Sequence, residues 1–385
     1  MKLAIVHDDL VRRGGAEQVA SYFHLAFPEA PIYTLAYRPY ATYEIFRECE
    51  VRTSFLQPVI LNEKIMKATF FPFGIIAMKN MDLTAFDVIL ISSTFCGKYI
   101  KVSPHALVIN YCHTPFRLAW DPESYHQYEQ SEGLKKILFK RIIKSLKKID
   151  YQAAQRTDFY LTNSHEVRSR IRKFYNYPKE IFVINPPVDC DKFYISKEIK
   201  DYFLVVSRLE YYKRIDLVID LFNKLNFPLI IVGKGTMLSD LKSRAKKNII
   251  FKSNLSTEEL ATLFSECKAL IFPQYEDYGI TPLEANASGR PVIAYAKGGV
   301  LETMIPYSEN NADKSTAVFF PEQTEESLET ALNIFNSVSF NSTFIKNHSK
   351  KFHKNLFISK IKNFVQEKFH EIHKPVRAKN IKNTI

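Results

Sequence analysis

Short, near-continuous apolar runs recur along the chain, each followed by turn residues or a helical pattern. Five lie in the first half: "KLAIVH" (2–7), "FDVILISS" (86–93), "ALVINYCH" (106–113), "DFYLTNS" (158–164) and "IFVINPP" (181–187). Five more follow: "YFLVVSRL" (202–209), "PLIIVGKG" (228–235), "NIIFKSNL" (248–255), "CKALIFPQ" (267–274) and "PVIAYAKGG" (291–299). Strands of this kind between helices imply parallel sheets covered on both faces. Two such runs predict an α/β chain of two doubly wound domains. The divide is expected near "PPVDCDKFYISKEIKD" (186–201), which is proline-led, polar and aperiodic. A length of 385 residues suits two domains.

Composition excludes several classes. Five scattered cysteines without C-x-x-C argue against a disulfide framework or a zinc site, and for a reducing cytoplasm. "MKLAIVHDDL" is too short for a signal peptide and reads as a first buried strand. No apolar stretch approaches the roughly 20 residues that span a bilayer. The formal charge is +12, and residues 344–385, with eleven Lys or Arg and two Glu, contribute +9 of it. A second basic stretch, "GLKKILFKRIIKSLKKID" (133–150), has seven Lys or Arg and no acid before Asp150. Its Leu134, Leu138, Ile142, Leu146 and Ile149 share one helical face. The pattern fits both a helix lying on an anionic membrane and a domain helix with a solvated basic face. No nucleic-acid motif accompanies the charge, so nucleic acid is not an expected partner.

Ligands of open α/β sheets bind beyond the C-terminal ends of the strands. The informative residues should therefore follow strands. After the first strand, Gly14 and Gly15 of "DDLVRRGGAE" allow a backbone to approach a phosphate, or simply make a strand-to-helix turn. His113 closes the run at 106–113, directly after its apolar strand, where it either lines a site or serves the fold. Arg208 and Lys213 follow "YFLVVS" and suit a diphosphate, with Arg214 a competitor for either role. "IIVGKGTMLSDL" lacks phosphate-loop spacing and reads as an ordinary turn. "DCD" (189–191) has the D-x-D form of some metal sites but lies in the expected linker. The strongest stretch is "FPQYEDYGITPLEANASGRPVIAY" (272–295). Thr281 is a candidate N-cap, Pro282 the first helical residue, and Glu284 would complete a capping box. Glu276 has no such local explanation.

Together these residues resemble retaining glycosyltransferases of the GT-B fold, family 4. The family pattern runs through Glu276, Tyr278, Gly279, Ile280, Leu283, Glu284, Ala285, Ala287, Gly289, Pro291 and Val292 to Gly298 and Gly299. "GGAE", "NSHEV" (163–167), "NPPVD" (185–189) and "SRLEYYKR" (207–214) match in order, so the resemblance covers about residues 1–335. "YCHTPFRLAWD" and "KRIDLVI" look closer to bacterial mannosyltransferases of O-antigen and capsule assembly. Asn286, Ser288, Glu210 and Tyr211 depart from commoner residues and leave donor choice open.

The resemblance implies two Rossmann-like domains facing across a cleft. Residues 1–187 would bind the acceptor and 188–354 the nucleotide sugar. A helix at 355–372 would cross back to the first domain, followed by a disordered basic tail at 373–385. It implies that Glu276 binds donor-sugar hydroxyls and Glu284 the ribose. Backbone N–H groups of Gly279, Ile280 and Thr281, with Leu283 beside them, would meet the distal phosphate or the sugar. Arg208 and Lys213 would neutralise the leaving diphosphate, Gly14 and Gly15 would lie under the donor phosphate, and His113 would line the sugar site. No metal or other cofactor is implied. The expected donor is GDP-mannose, and the expected acceptor is a polyprenyl-diphosphate-linked glycan. The protein would be cytoplasmic and peripheral on the inner membrane face, held there by helix 133–150 and the basic tail. A UDP-sugar donor, a GT-B epimerase and a non-catalytic sugar-nucleotide scaffold remain alternatives.

Overall fold

The computed structural model describes residues 1–61, 73–124, 128 and 131–373. Most of the expected tail, residues 374–385, lies outside the described residues. Two sheets form. The first contains β1 (Leu3–His7), β2 (Ile32–Thr34), β3 (Val51–Thr53), β4 (Val88–Ser93), β5 (Leu107–Cys112), β6 (Phe159–Thr162) and β7 (Ile181–Val183). Its order is β3-β2-β1-β4-β5-β6-β7. The second contains β8 (Phe203–Val206), β9 (Leu229–Val232), β10 (Ile249–Lys252), β11 (Leu270–Phe272), β12 (Val292–Tyr295) and β13 (Ala317–Phe320). Its order is β10-β9-β8-β11-β12-β13. Pairing is parallel throughout the second sheet, and in the first from β3 across to β4 and between β6 and β7. The register is direct: Phe203 to Val206 face Leu229 to Val232, and Val292 to Tyr295 face Ala317 to Phe320.

All ten expected apolar runs contain a strand. Three further strands, β2, β3 and β13, lie outside them. β2 and β3 have three residues each, and β3 and β13 are sheet edges. One sheet ends at Val183 and the next begins at Phe203, on either side of the proline-led segment.

The chain divides into two compact units. One holds Met1–Ser92, Cys96–Asn110 and the segment from Ile358; the other holds Ser93–Phe95 and Tyr111–Phe357. In the first unit, α1 (Gly15–Ala26) follows β1. The second unit includes α2 (Arg117–Trp120), α3 (Gly133–Ala154), α4 (His165–Tyr175), α5 (Ile215–Leu225), α6 (Ile280–Ala287) and α7 (Val300–Thr303). The last described helix is α8 (Lys354–Ile372). Two apolar clusters cover the faces of the second sheet. One contains Leu204, Phe264, Leu270, Phe272, Leu283 and Val292; the other contains Phe203, Val205, Phe222, Ile231, Ile293 and Phe320. Alternation along β8 sends successive side chains to opposite clusters. Among the described residues no helix is long and apolar enough to cross a membrane.

Helix α3 buries Ile143, Leu146, Asp150, Ala153 and Ala154. Of the stripe noted in the sequence, Leu146 is buried and Ile149 half-buried, whereas Leu134, Leu138 and Ile142 are exposed. Asp150 is fully buried and accepts hydrogen bonds from Trp120 Nε1 and Tyr175 OH, both at 2.8 Å. It thereby ties α3 to α2 and α4. We predict that Asp150→Ala, by stranding two buried donors, costs about 2–4 kcal/mol in urea unfolding. A loss under about 0.5 kcal/mol would show that the bonds contribute little.

Candidate active site

The second sheet reverses its order between β8 and β11. Chains leaving two such strands diverge, which opens a crevice at their C-terminal ends. Arg208 and Lys213 follow β8, and Glu276 follows β11. The structure brings Lys213 and Glu276 into direct contact as an ion pair. Lys213 is 3% exposed, at the end of the 3₁₀ turn Tyr211–Lys213. Burial pulls its pKa down to about 7, with Arg208 and Arg117 acting the same way and Asp277 and Glu210 opposing. The adjacent Glu276 carboxylate favours the charged lysine. Arg208 is exposed and donates to Tyr212 OH at 2.9 Å. The competitor Arg214 is directed elsewhere: it takes a left-handed conformation and faces Asp216 at 3.5 Å.

Backbone contacts hold both loops. Leu209 N–H donates to Lys234 O at 2.8 Å, and Met237 N–H donates to Leu209 O at 2.9 Å. A Cβ on Gly235 would collide with the Leu209 carbonyl. This is why "GKG" needs its glycine without being a phosphate loop. Gly298 bridges in parallel to Glu276, and Gly299 N–H donates to Glu276 O at 3.0 Å. Gly298 has φ +84°, and a Cβ there would strike the same carbonyl oxygen. The Gly298–Gly299 pair thus sets the height of Glu276 above the sheet.

The expected capping box does not form. Helix α6 starts at Ile280 with Gly279 (φ 86°) as N-cap, and no side chain caps it. Thr281 is therefore the second helical residue, two places past the cap position. Gly279 wins because its positive φ lets the chain turn sharply against Phe272. The result leaves the helix start, at Ile280, Thr281 and Leu283, without a side-chain acceptor for its N–H groups. Glu284 is released too. Among the described residues its carboxylate has no hydrogen-bond partner, and burial pushes its pKa up to about 7, opposed by Lys192. Part of its surface remains accessible.

Sequence reasoning missed several residues around this crevice. Asp277, 7% exposed, receives Arg117 Nη2 at 2.6 Å and Arg170 Nη1 at 2.7 Å. Arg170 also donates to Tyr275 OH at 2.8 Å and meets Glu166 Oε1 at 3.2 Å. Tyr275 OH donates to the same Glu166 carboxylate. Glu302 accepts the N–H groups of His165 (2.8 Å) and Glu166 (3.2 Å), capping α4 together with Ser164. These bonds pin the 275–279 loop to α2 and α4. Only adjacency to Glu276, and Arg117 four places after His113, hinted at them.

His113 is half-buried just past β5. Its N–H donates to Ser93 O at 3.1 Å, its carbonyl accepts from Asn163 Nδ2 at 2.9 Å, and its ring lies 5.2 Å from Tyr111. Gly14 and Gly15 belong to the first unit. Gly14 is the extended N-cap of α1, and a Cβ on it would strike the carboxylate of Glu17. Glu17 is 8% exposed, and burial raises its pKa. A phosphate approaching Gly14 must displace or neutralise it. Asp189 and Asp191 of "DCD" both bind Lys354, at 2.6 and 3.1 Å. That is a structural role, and among the described residues no three His, Cys, Asp or Glu converge as a metal set.

Comparison with known proteins places this geometry in a family. Residues 13–192 match the model described as Glycosyltransferase Family 4, and residues 191–352 match Glycosyl transferases group 1. O-antigen chain mannosyltransferase C of Escherichia coli is 26% identical over 160 residues, 40% of this chain and 42% of that protein. The match thus spans about two fifths of that relative. Alpha-1,3/1,6-mannosyltransferase ALG2 of Candida glabrata is 24% identical over 390 residues, 82% of this chain and 80% of that one. Among solved structures, sucrose-phosphate synthase of Thermosynechococcus elongatus superposes with TM-score 0.73 at 15% identity, covering 96% of this chain and 100% of that one. HepE of Anabaena with UDP-glucose gives TM-score 0.66 at 14% identity, covering 95% and 99%. The two family models tile one chain in the order that its two sheets follow, and the chain belongs to the family 4 glycosyltransferases, of the GT-B fold.

Proposed function

We propose that this protein is a retaining hexosyltransferase. It moves mannose from GDP-mannose onto a polyprenyl-diphosphate-linked glycan in bacterial surface-polysaccharide assembly. The observation that carries the reading is the Lys213–Glu276 pair beside the uncapped start of α6, with the desolvated Glu284 on the same helix. The mannosyl part is supported by the similarity to the O-antigen mannosyltransferase and to ALG2. A UDP-sugar donor is the second reading, favoured by HepE, which holds UDP-glucose.

In this reading the donor diphosphate lies against the N–H groups at Ile280 and Thr281, with Arg208 and Lys213 beside it. Lys213 turns from Glu276 toward the phosphates, and Glu276 accepts hydroxyls of the sugar. Glu284 accepts the ribose hydroxyls. The C1–O bond to the diphosphate breaks on one face of the sugar. The acceptor oxygen bonds to C1 on that same face, and its proton passes to the departing diphosphate. Cations and helix N–H groups stabilise the charge that develops, with no metal assigned a part. His113 lines the sugar site, and Gly14 and Gly15 lie under the donor phosphate. The lipid of the acceptor places the enzyme on the inner face of the cytoplasmic membrane, where helix 133–150 and the basic tail meet anionic lipid.

Kinetics and pH-dependent melting test these assignments. Lys213→Met and Glu276→Gln should each lower kcat with GDP-mannose by about a hundredfold or more while far-UV dichroism is retained. Full turnover in both would remove the assignment. The pKa of Glu284 is raised on folding, so the native state holds the proton more tightly and donor-free stability falls as pH climbs from about 4.5 to 7. Glu284→Gln should therefore leave the melting temperature unchanged near pH 4 and raise stability by of the order of 1–3 kcal/mol near pH 8. Equal effects at both pH values would mean that the carboxyl is not desolvated.

A further inference from the structure

Helix α3 carries seven Lys or Arg between Lys135 and Lys148, and its one acid is turned inward to Trp120 and Tyr175. Among the described residues none of the seven forms an ion pair with a carboxylate. Seven like charges on one helix repel one another, and an anionic partner relieves that cost. The same helix presents Leu134 (86% exposed), Ile137 (51%), Leu138 (59%) and Ile142 (38%) to solvent. An aliphatic ridge beside cations of this density suits an amphiphile better than a nucleic acid.

A cleft of about 400 Å³ adjoins this helix, lined by Lys140, Lys144 and Lys147 with Trp120 and Tyr128. Lys147 Nζ stands 5.5 Å over the Trp120 ring, and Lys136 Nζ stands 4.6 Å over Tyr128. Asp121 and Glu123 line the cleft as well, so a monoanion gains little there. A head group of two or more negative charges is favoured. At about 100° per residue, Lys140 and Lys144 fall on the face next to Ile137 and Leu134. The head-binding face and the apolar ridge therefore adjoin around one helix.

We propose that this cleft binds the diphosphate head of a prenyl lipid whose hydrocarbon chain lies along Leu134, Ile137, Leu138 and Ile142. The proposal deepens the lipid-linked acceptor of the proposed function, on which it rests for its motive alone. Phosphatidylglycerol, a phosphodiester of one negative charge, is the competing bilayer anion, and the test separates the two.

The full chain is floated with phosphatidylcholine vesicles, plain or doped with phosphatidylglycerol or with a prenyl diphosphate. The cleft variant K140A/K144A/K147A is compared with K135A/R141A/K148A, which removes equal charge from elsewhere on the helix. We expect wild type to bind both doped vesicles and not the plain ones. The cleft variant should lose about tenfold or more on the prenyl diphosphate vesicles, and the control variant about threefold or less there. Loss confined to phosphatidylglycerol would overturn the site in favour of a general bilayer contact. Leu138→Glu should weaken binding to both. Equal losses in the two triple variants, or no binding by wild type, would overturn the site. Melting curves check the fold, and GDP-mannose binding by the same samples reports on the transfer reading separately. Vesicle binding lost with donor binding intact bears on this proposal alone.

Discussion

A buried lysine needs an anion, and the ion pair between Lys213 and Glu276 organises the crevice on that basis. Lys213 is desolvated and crowded by Arg208 and Arg117, which lowers its pKa. The Glu276 carboxylate favours its charged form. A pair of this kind is poised: a ligand bearing both phosphate and hydroxyl groups can take each partner in turn without leaving either charge unpaired. A ligand that satisfied only one would leave the other stranded. The site thus favours a molecule that carries both chemistries over one that carries either.

The scaffold holds that pair in place largely through backbone contacts. Gly299 N–H donates to the carbonyl of Glu276 with Gly298 packed against it, and Met237 N–H donates to the carbonyl of Leu209 with Gly235 packed against it, so neither loop can rise without breaking main-chain bonds. Asp277 anchors the other side of the loop through Arg117 and Arg170. The crevice therefore has fixed walls and an exchangeable ion pair between them. That division lets the loops stay preorganised while the charges move, which is where electrostatic catalysis draws its advantage.

Much of this was legible in the residue order. Ten apolar runs became ten strands because a strand buried on both faces leaves no other pattern. The strand ends then pointed to Arg208, Lys213 and Glu276. The capping box at Thr281 and Glu284 was misleading, since local propensity cannot see that Gly279 turns the chain two residues earlier against Phe272. Of the stripe from Leu134 to Ile149 only Leu146 is buried, because which face a helix buries depends on its neighbours, here those packed around Ile143 and Asp150. Asp277, Arg170 and Glu302 were invisible for a related reason. Arg170 and Asp277 are 107 positions apart, and only the fold joins them.

In the proposed function Lys213 serves the diphosphate and Glu276 the sugar, and calorimetric titration separates the two roles most directly. GDP and GDP-mannose would each be titrated into wild type, Lys213→Met and Glu276→Gln. The expected result is that Lys213→Met weakens both ligands, whereas Glu276→Gln weakens GDP-mannose and leaves GDP unchanged or tighter. Equal weakening of GDP in both variants, or no effect of either on GDP-mannose, would refute this division of labour.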